Sequence, residues 1–272
     1  MNDARDSLRL TPRSTLVQAL VSAIGVVAFT WPFVVAPESG LAHSGDGPWL
    51  FVVLDPLLLG VLVAEASGGG MDAKAVAMLG LLAAVGAGLR VLGAGMPPLE
   101  PLFFLLGVAG RAFGPAFGFV LGSLTVLAGA LVTGGVGPWL PFQMLGAGWV
   151  ALGAGLLPRV PARAERWLLA GYGAVAGLAY GALLDLWFWP FLAGGSVGGD
   201  LAYVAGAPVA ENLSRFAVFH LATGLGWDLP RAALTALLCL LAGPAVLTAL
   251  RRAARRAAFA APVRFADPGV QR

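Results

Sequence analysis

Polar side chains able to hold a solute are few in this chain and stand in otherwise apolar stretches. Gln143 lies inside 134–158, which reads GGVGPWLPFQMLGAGWVALGAGLLP, so a Gly/Pro/Trp loop and a single amide sit at the mouth of a helix of small and apolar residues. An amide there can both donate to and accept from a small polar ligand. Asp185 follows Leu184 in a second apolar stretch with Trp187 and Trp189 beyond it, and Asp55 stands in Leu54-Asp55-Pro56. Ionisable groups at membrane depth are costly and point to function by default, although Asp55 serves equally well to stabilise the kink that Pro56 introduces. Trp139, Trp187, Trp189 and Trp227 fall on one side of the expected topology, either as an aromatic wall for a planar ligand or as an interfacial belt. The longest stretch outside the expected spans, 191–230, contains GGSVGG and then a segment, 211–223, able to form a helix at the interface. That helix would act as a lid and carries Asn212, Arg215 and His220.

Other chemistries have no visible residues. Neither His43 nor His220 has a second histidine at metal-ligand spacing, and Cys239, the lone cysteine, lies in an apolar run, so no metal centre, thiolate cluster or disulfide framework is expected. The only lysine is Lys74, and the chain contains no GxxxxGK[ST] phosphate loop, no HExxH, no paired Asp-rich motif and no GxSxG with a histidine partner. No catalytic residue and no cofactor is expected, and the energy for any transport comes from elsewhere.

The elements that must position these residues are membrane helices. With 58% hydrophobic and 11% charged residues and a mean hydropathy of +0.84, the chain cannot present the polar surface of a soluble domain. A span needs roughly 20 mostly apolar residues, and such windows lie at about 16–36, 49–66, 73–94, 114–133, 140–158, 167–190 and 229–250, with 99–112 a short or tilted further crossing. The first apolar run is longer than the h-region of a signal peptide, so a retained helix is expected. With the N-terminus cytoplasmic and eight crossings, 14 of the 17 cations fall inside, leaving only Arg90, Arg215 and Arg231 elsewhere; seven crossings would put Arg159, Arg163 and Arg166 on the wrong side. An all-α integral membrane protein of about eight transmembrane helices with both termini cytoplasmic is therefore expected. Arg90 and Glu100 bracket one external connection and could pair. The tail 251–272, rich in arginine, reads as an anchor on anionic lipid and not as a nucleic-acid footprint.

Helices in lipid associate where small residues let backbones approach. In 73–94, Gly80, Ala84 and Gly88 recur every four residues with Ala73 and Ala77 one face around, and Gly114, Gly118 and Gly122 do the same in 114–133. Either row can receive another helix of this chain or an external subunit.

The run 72–158, through AKAVAMLGLLAAVGAGL, EPLFFLLGVAGRAFGP, GPAFGFVLGSLTVLAGALVTGG and GPWLPFQMLGAGWVALGAGLLP, resembles the substrate-binding S component of energy-coupling factor transporters in its actinobacterial form. The order GPxxGFxxG, loop, small-residue helix carries the likeness. The resemblance implies a subunit in the cell membrane that binds a vitamin or related micronutrient from outside, with a transmembrane T subunit and two ATPase subunits as partners and the bilayer around it. It places the T-subunit contact on Ala73, Ala77, Gly80, Ala84 and Gly88, with glycine replacing alanine at two of these, and the substrate loop on 134–141 with Gln143 below it. It implies three parts: a two-helix extension, 1–71, beyond the six helices usual in that family; an S-component-like membrane domain, 72–250; and the basic tail. A bulky, partly planar solute of the cobalamin type suits the large outer loops, with riboflavin, thiamine, biotin or a queuosine precursor as alternatives. Two other classes compete: a membrane enzyme or scaffold acting on lipid, and an autonomous secondary carrier.

Overall fold

A computed structural model describes residues 12–33, 60, 73–94, 99–192 and 199–257 of the chain. Backbone N–H and C=O groups have no partner in hydrocarbon, so a spanning segment must satisfy them internally, and among the described residues every regular element is a helix. In chain order these are α1 Pro12–Thr30, α2 Ala73–Ala94, α3 Leu102–Phe113, α4 Pro115–Thr133, α5 Leu140–Leu156, α6 Ala162–Leu192, α7 Val209–Thr223, α8 Leu225–Leu241 and α9 Gly243–Ala257, with 3₁₀ turns at Trp31–Phe33 and Gly199–Leu201. Four of them, α1 with its 3₁₀ turn, α2, α4 and α6, are long and apolar enough to cross a membrane. A fifth candidate arises if α7 and α8, bent by 68° at Gly224, form one broken span. The chain is thus an all-helical protein of the multi-pass membrane type. Apart from residue 60, the window 49–66, with Asp55, and most of the N-terminal extension lie outside the described residues.

Among the described residues the sequence windows fall on helices, although α6 starts five residues before its window and α3 and α5 are shorter than a full span; the C-terminal window differs more. The window 229–250 is not one helix: α8 starts earlier, at Leu225, and breaks at Ala242, after which Gly243 and Pro244 open α9. Proline lacks the N–H needed to continue α8's ladder, whereas it is tolerated in the first turn of a new helix. α9 buries Leu247 and Ala254 and leaves Arg252 and Arg255 exposed.

α3 is the centre of the bundle. Eleven of its twelve residues are buried, which is why a helix too short to span is nonetheless apolar on all sides. It ends at Gly114 (φ 100°, ψ 173°), a backbone region essentially restricted to glycine, and Pro115 starts α4 directly after it. α4 and α5 then pack with their backbones nearly touching. A Cβ on Gly118 would lie 2.6 Å from the Ala151 carbonyl oxygen, and one on Gly122 would overlap that of Ala147. The small-residue row of α4 is therefore filled from within the chain. Among the described residues the row on α2 is not: Ala73, Ala77, Gly80, Ala84 and Gly88 are all exposed, and nothing lies within 4 Å of a Cβ placed on Gly80 or Gly88. α2 turns Leu79, Leu82, Ala83 and Ala87 inward instead.

α1 belongs to the same bundle. Phe29, 1% exposed, meets Phe142 edge-on at 5.1 Å, and Trp149 Nε1 donates to Ser22 Oγ at 3.0 Å. Tyr203 OH donates to the Pro32 carbonyl at 2.8 Å, tying the region before α7 to the end of α1.

Charged groups gather at the two ends of the helices. At one end Arg111, 1% exposed, closes α3: its Nε donates to Glu165 Oε1 (2.8 Å) and its Nη atoms to the carbonyls of Leu157 (2.6 Å) and Pro158 (2.9 Å). Arg251 of α9 adds two bonds to Glu165, at 2.8 and 2.6 Å. The ends of α3 and α5, the start of α6 and the middle of α9 are thus held by one carboxylate and two guanidinium groups. The other end holds the candidate site.

Candidate functional site

A cavity of about 360 Å³ opens where the end of α2, the approach to α3, the start of α5, the last third of α6 and the α7–α8 bend converge. Each element delivers its polar group near a terminus. Arg90 comes from the last turns of α2 and donates through Nη2 to Gln143 Oε1, in the first turn of α5, at 2.7 Å. Glu100 comes from the turn before α3. Its carboxylate receives Arg231 Nε, while Arg231 Nη1 reaches Asp228 Oδ1 one turn earlier in α8. The Arg231 guanidinium also sits 5.5 Å from the centroids of both Phe103 and Tyr180, so aromatic faces complete its shell.

Asp228 lies in the first turn of α8, where the helix dipole favours a negative charge. It is 2% exposed, and its second oxygen, Oδ2, receives no hydrogen bond among the described residues. His220, at the end of α7, stands between two carboxylates: Nδ1 is 2.7 Å from Asp185 Oδ2 and Nε2 is 3.8 Å from Asp228 Oδ2. Phe216 stacks on its ring at 5.9 Å. Two glycines make this arrangement possible. A Cβ on Gly181 would overlap the Asp228 carboxylate, and one on Gly224, at the bend, would overlap Asp185 Oδ2 and come within 2.6 Å of His220 Nδ1.

Of the residues singled out in the sequence, Gln143 and Asp185 share the cavity wall, with His220 bonded to Asp185 beside it. Trp139, Trp187, Trp189, Asn212 and Arg215 are placed elsewhere. Trp139 is exposed at 40%, folded over Gly137 with its Nε1 donating to the Gly135 carbonyl at 3.1 Å. Trp187 is buried against Phe142, centroid to centroid 4.7 Å, inside the bundle. Trp189 belongs to a small separate core with Tyr203 and Phe219, and donates to the Leu201 carbonyl at 2.7 Å. Asn212 is bonded both ways to the backbone of Val204, at 2.8 and 3.1 Å. Arg215 pairs with Glu211 at 3.0 Å and with the Gly199 carbonyl at 3.2 Å. Of the four tryptophans considered for an aromatic wall, Trp227 is the one that lines the cavity, together with Phe188. The Arg90–Glu100 bridge does not form, because Gln143 takes the first and Arg231 the second.

Asp185, His220 and Asp228 offer ligand atoms within 4.8 Å of one another, a cluster that a search for paired histidines does not find, since its members come from α6, α7 and α8. Asp228 Oδ1 is taken by Arg231 and Asp185 by His220, so the cluster is a hydrogen-bonded network in this structure. Asp228 and Arg231 carry the one signal that was legible in advance, opposite charges at i and i+3 opening an apolar helix, where charge is otherwise avoided.

Comparison with protein-family models, curated proteins and solved structures finds no match to this chain. Its class therefore rests on composition and fold: a multi-pass bundle of membrane helices with a charged cavity at one end.

Proposed function

We propose that the chain is the solute-binding S component of an energy-coupling factor type transporter, with eight crossings and both termini in the cytoplasm of a cell membrane. It captures a vitamin-class solute at the cavity and relies on a T subunit and two ATPase subunits for energy. The observation that carries this reading is the cavity itself: a cluster of two arginines, three carboxylates and an amide at one end of an otherwise apolar bundle. Charged groups are expensive there and persist where they serve a ligand or a pathway. The unfilled small-residue face of α2 supports the second half, since it is smooth enough for a partner helix to approach closely. A volume of about 360 Å³ lies near the small end of the roughly 300–1,000 Å³ typical of ligand sites, which favours the smaller vitamins over a cobalamin-type ligand.

Purification from its host in mild detergent, with mass spectrometry of what accompanies it, tests the proposal. A bound micronutrient together with a membrane partner and ATPases supports it; a well-folded chain with neither rejects it. The Asp185–His220–Asp228 chain favours one competitor, a proton-coupled secondary carrier, which predicts uptake into liposomes by this chain alone and loss of that uptake in Asp185→Asn.

A further inference from the structure

Carboxylates outnumber guanidinium groups on the cavity wall. Two guanidinium groups, Arg90 and Arg231, face three carboxylates, Glu100, Asp185 and Asp228. Arg231 is shared by two of those carboxylates, and Arg90 is turned onto the neutral oxygen of Gln143. The His220 ring lies between Asp185 and Asp228, with Nδ1 2.7 Å from Asp185 Oδ2 and Nε2 3.8 Å from Asp228 Oδ2, too far for a hydrogen bond to that oxygen. The group left with unused capacity is an acceptor, Asp228 Oδ2, on a side chain only 3% exposed. A buried acceptor without a donor is costly, the more so when it is charged, and Gly181 and Gly224 give these carboxylates the room they occupy, since a Cβ on either glycine would overlap them.

We propose that this wall is a recognition site for a positively charged, N–H-bearing group, so that the solute is a small organic cation such as an amidine- or aminopyrimidine-type heterocycle, docked on Asp228 and Asp185 with its ring against Trp227 and Phe188. An N–H donor placed there satisfies the orphaned oxygen, its positive charge offsets the excess of carboxylates over guanidinium groups on the wall, and the low local dielectric strengthens both effects. Trp227 and Phe188 supply faces that attract a cation and stack on a planar ring. An anionic solute would have to displace Gln143 from Arg90 and add a fourth negative charge. This inference rests on the cavity being the solute site.

The test uses two isosteres of opposite charge, benzamidinium and benzoate, with the detergent-solubilised full chain and ligand-observed NMR. Benzamidinium is expected to bind at least about tenfold more tightly than benzoate, with Asp228→Asn reducing benzamidinium affinity about tenfold and leaving benzoate nearly unchanged. Should Asp228→Asn not fold, Asp185→Asn, at the more open edge of the site, is expected to reduce benzamidinium affinity severalfold, and the wild-type preference decides alone if neither variant folds. Equal binding, a preference for benzoate, or no binding of either probe at 10 mM overturns the proposal. A neutral or anionic micronutrient co-purified with ATPase subunits would overturn it too, while leaving the transporter reading intact.

Discussion

Glu165 offers the sharpest test of how the bundle is held. Its carboxylate accepts one bond from Arg111 and two from Arg251, and the three side chains differ in burial: Arg111 is 1% exposed, Glu165 8% and Arg251 30%. Glu165→Gln keeps the shape and one acceptor oxygen but removes the charge, leaving the Arg111 guanidinium buried with only two backbone carbonyls and an amide to face. Breaking a buried pair from one side costs about 3–5 kcal/mol, and the retained oxygen places this case near 3. Arg111→Met is milder, because Glu165 keeps both bonds from Arg251. Its cost comes from the two half-buried carbonyls of Leu157 and Pro158 and is about 2 kcal/mol. Arg251→Met, at the most exposed corner, costs about 1 kcal/mol. The double variant Glu165→Gln/Arg111→Met should be less destabilised than the sum of its singles by about 1–2 kcal/mol, since the second change removes the charge stranded by the first. Unfolding in mixed micelles by titration with dodecyl sulfate, followed by tryptophan fluorescence, measures all four. An effect of Glu165→Gln below about 1 kcal/mol, or below that of Arg111→Met, would refute the account of Arg111 as a buried charge held by Glu165.

Three further outcomes follow from the packing. Gly122→Ala drives a Cβ into the Ala147 carbonyl, and because backbone cannot rotate away it should lower stability by about 1–3 kcal/mol in the same titration. Gly80→Leu with Gly88→Leu meets open space and should leave stability within about 0.5 kcal/mol while abolishing co-purification of the proposed T and ATPase subunits; their retention would count against α2 as the contact face. Gly224→Ala intrudes on Asp185 and His220 at the α7–α8 bend. It should weaken benzamidinium binding at least about tenfold with stability reduced by no more than about 2 kcal/mol, read by NMR and micelle unfolding respectively.

Much of the fold was legible in the residues because the relevant physics is local. Apolar runs bounded by Gly, Pro and charge placed α2 and α4 within a residue and marked 99–112 as a short or tilted helix, which forms at Leu102–Phe113. The break at Ala242 was legible in principle from Gly243-Pro244, but the apolar composition of 229–250 runs straight through it. Both small-residue rows read alike in one dimension. Only packing separates them: α5 supplies a backbone to the α4 row, whereas no described element covers the α2 row.

The candidate site divides in the same way. Gln143 and Asp185 stand out as polar groups in apolar sequence, and that cost is a property of each residue alone. The neighbours that give them meaning come from other helices, with Arg231 bonded to Glu100 across 131 residues and His220 to Asp185 across 35. Trp187 and Trp189 show the converse, since an aromatic near a helix end has the same sequence whether it faces a ligand or fills a core. The sequence by itself determined that this is a membrane protein, where most of its described helices run and which polar groups lie at a cost within them, because hydropathy and backbone satisfaction act residue by residue along the chain. Which of those groups meet, and that they leave one buried carboxylate oxygen without a donor, was decided only by the tertiary structure, because ion pairing and burial depend on how the helices cross.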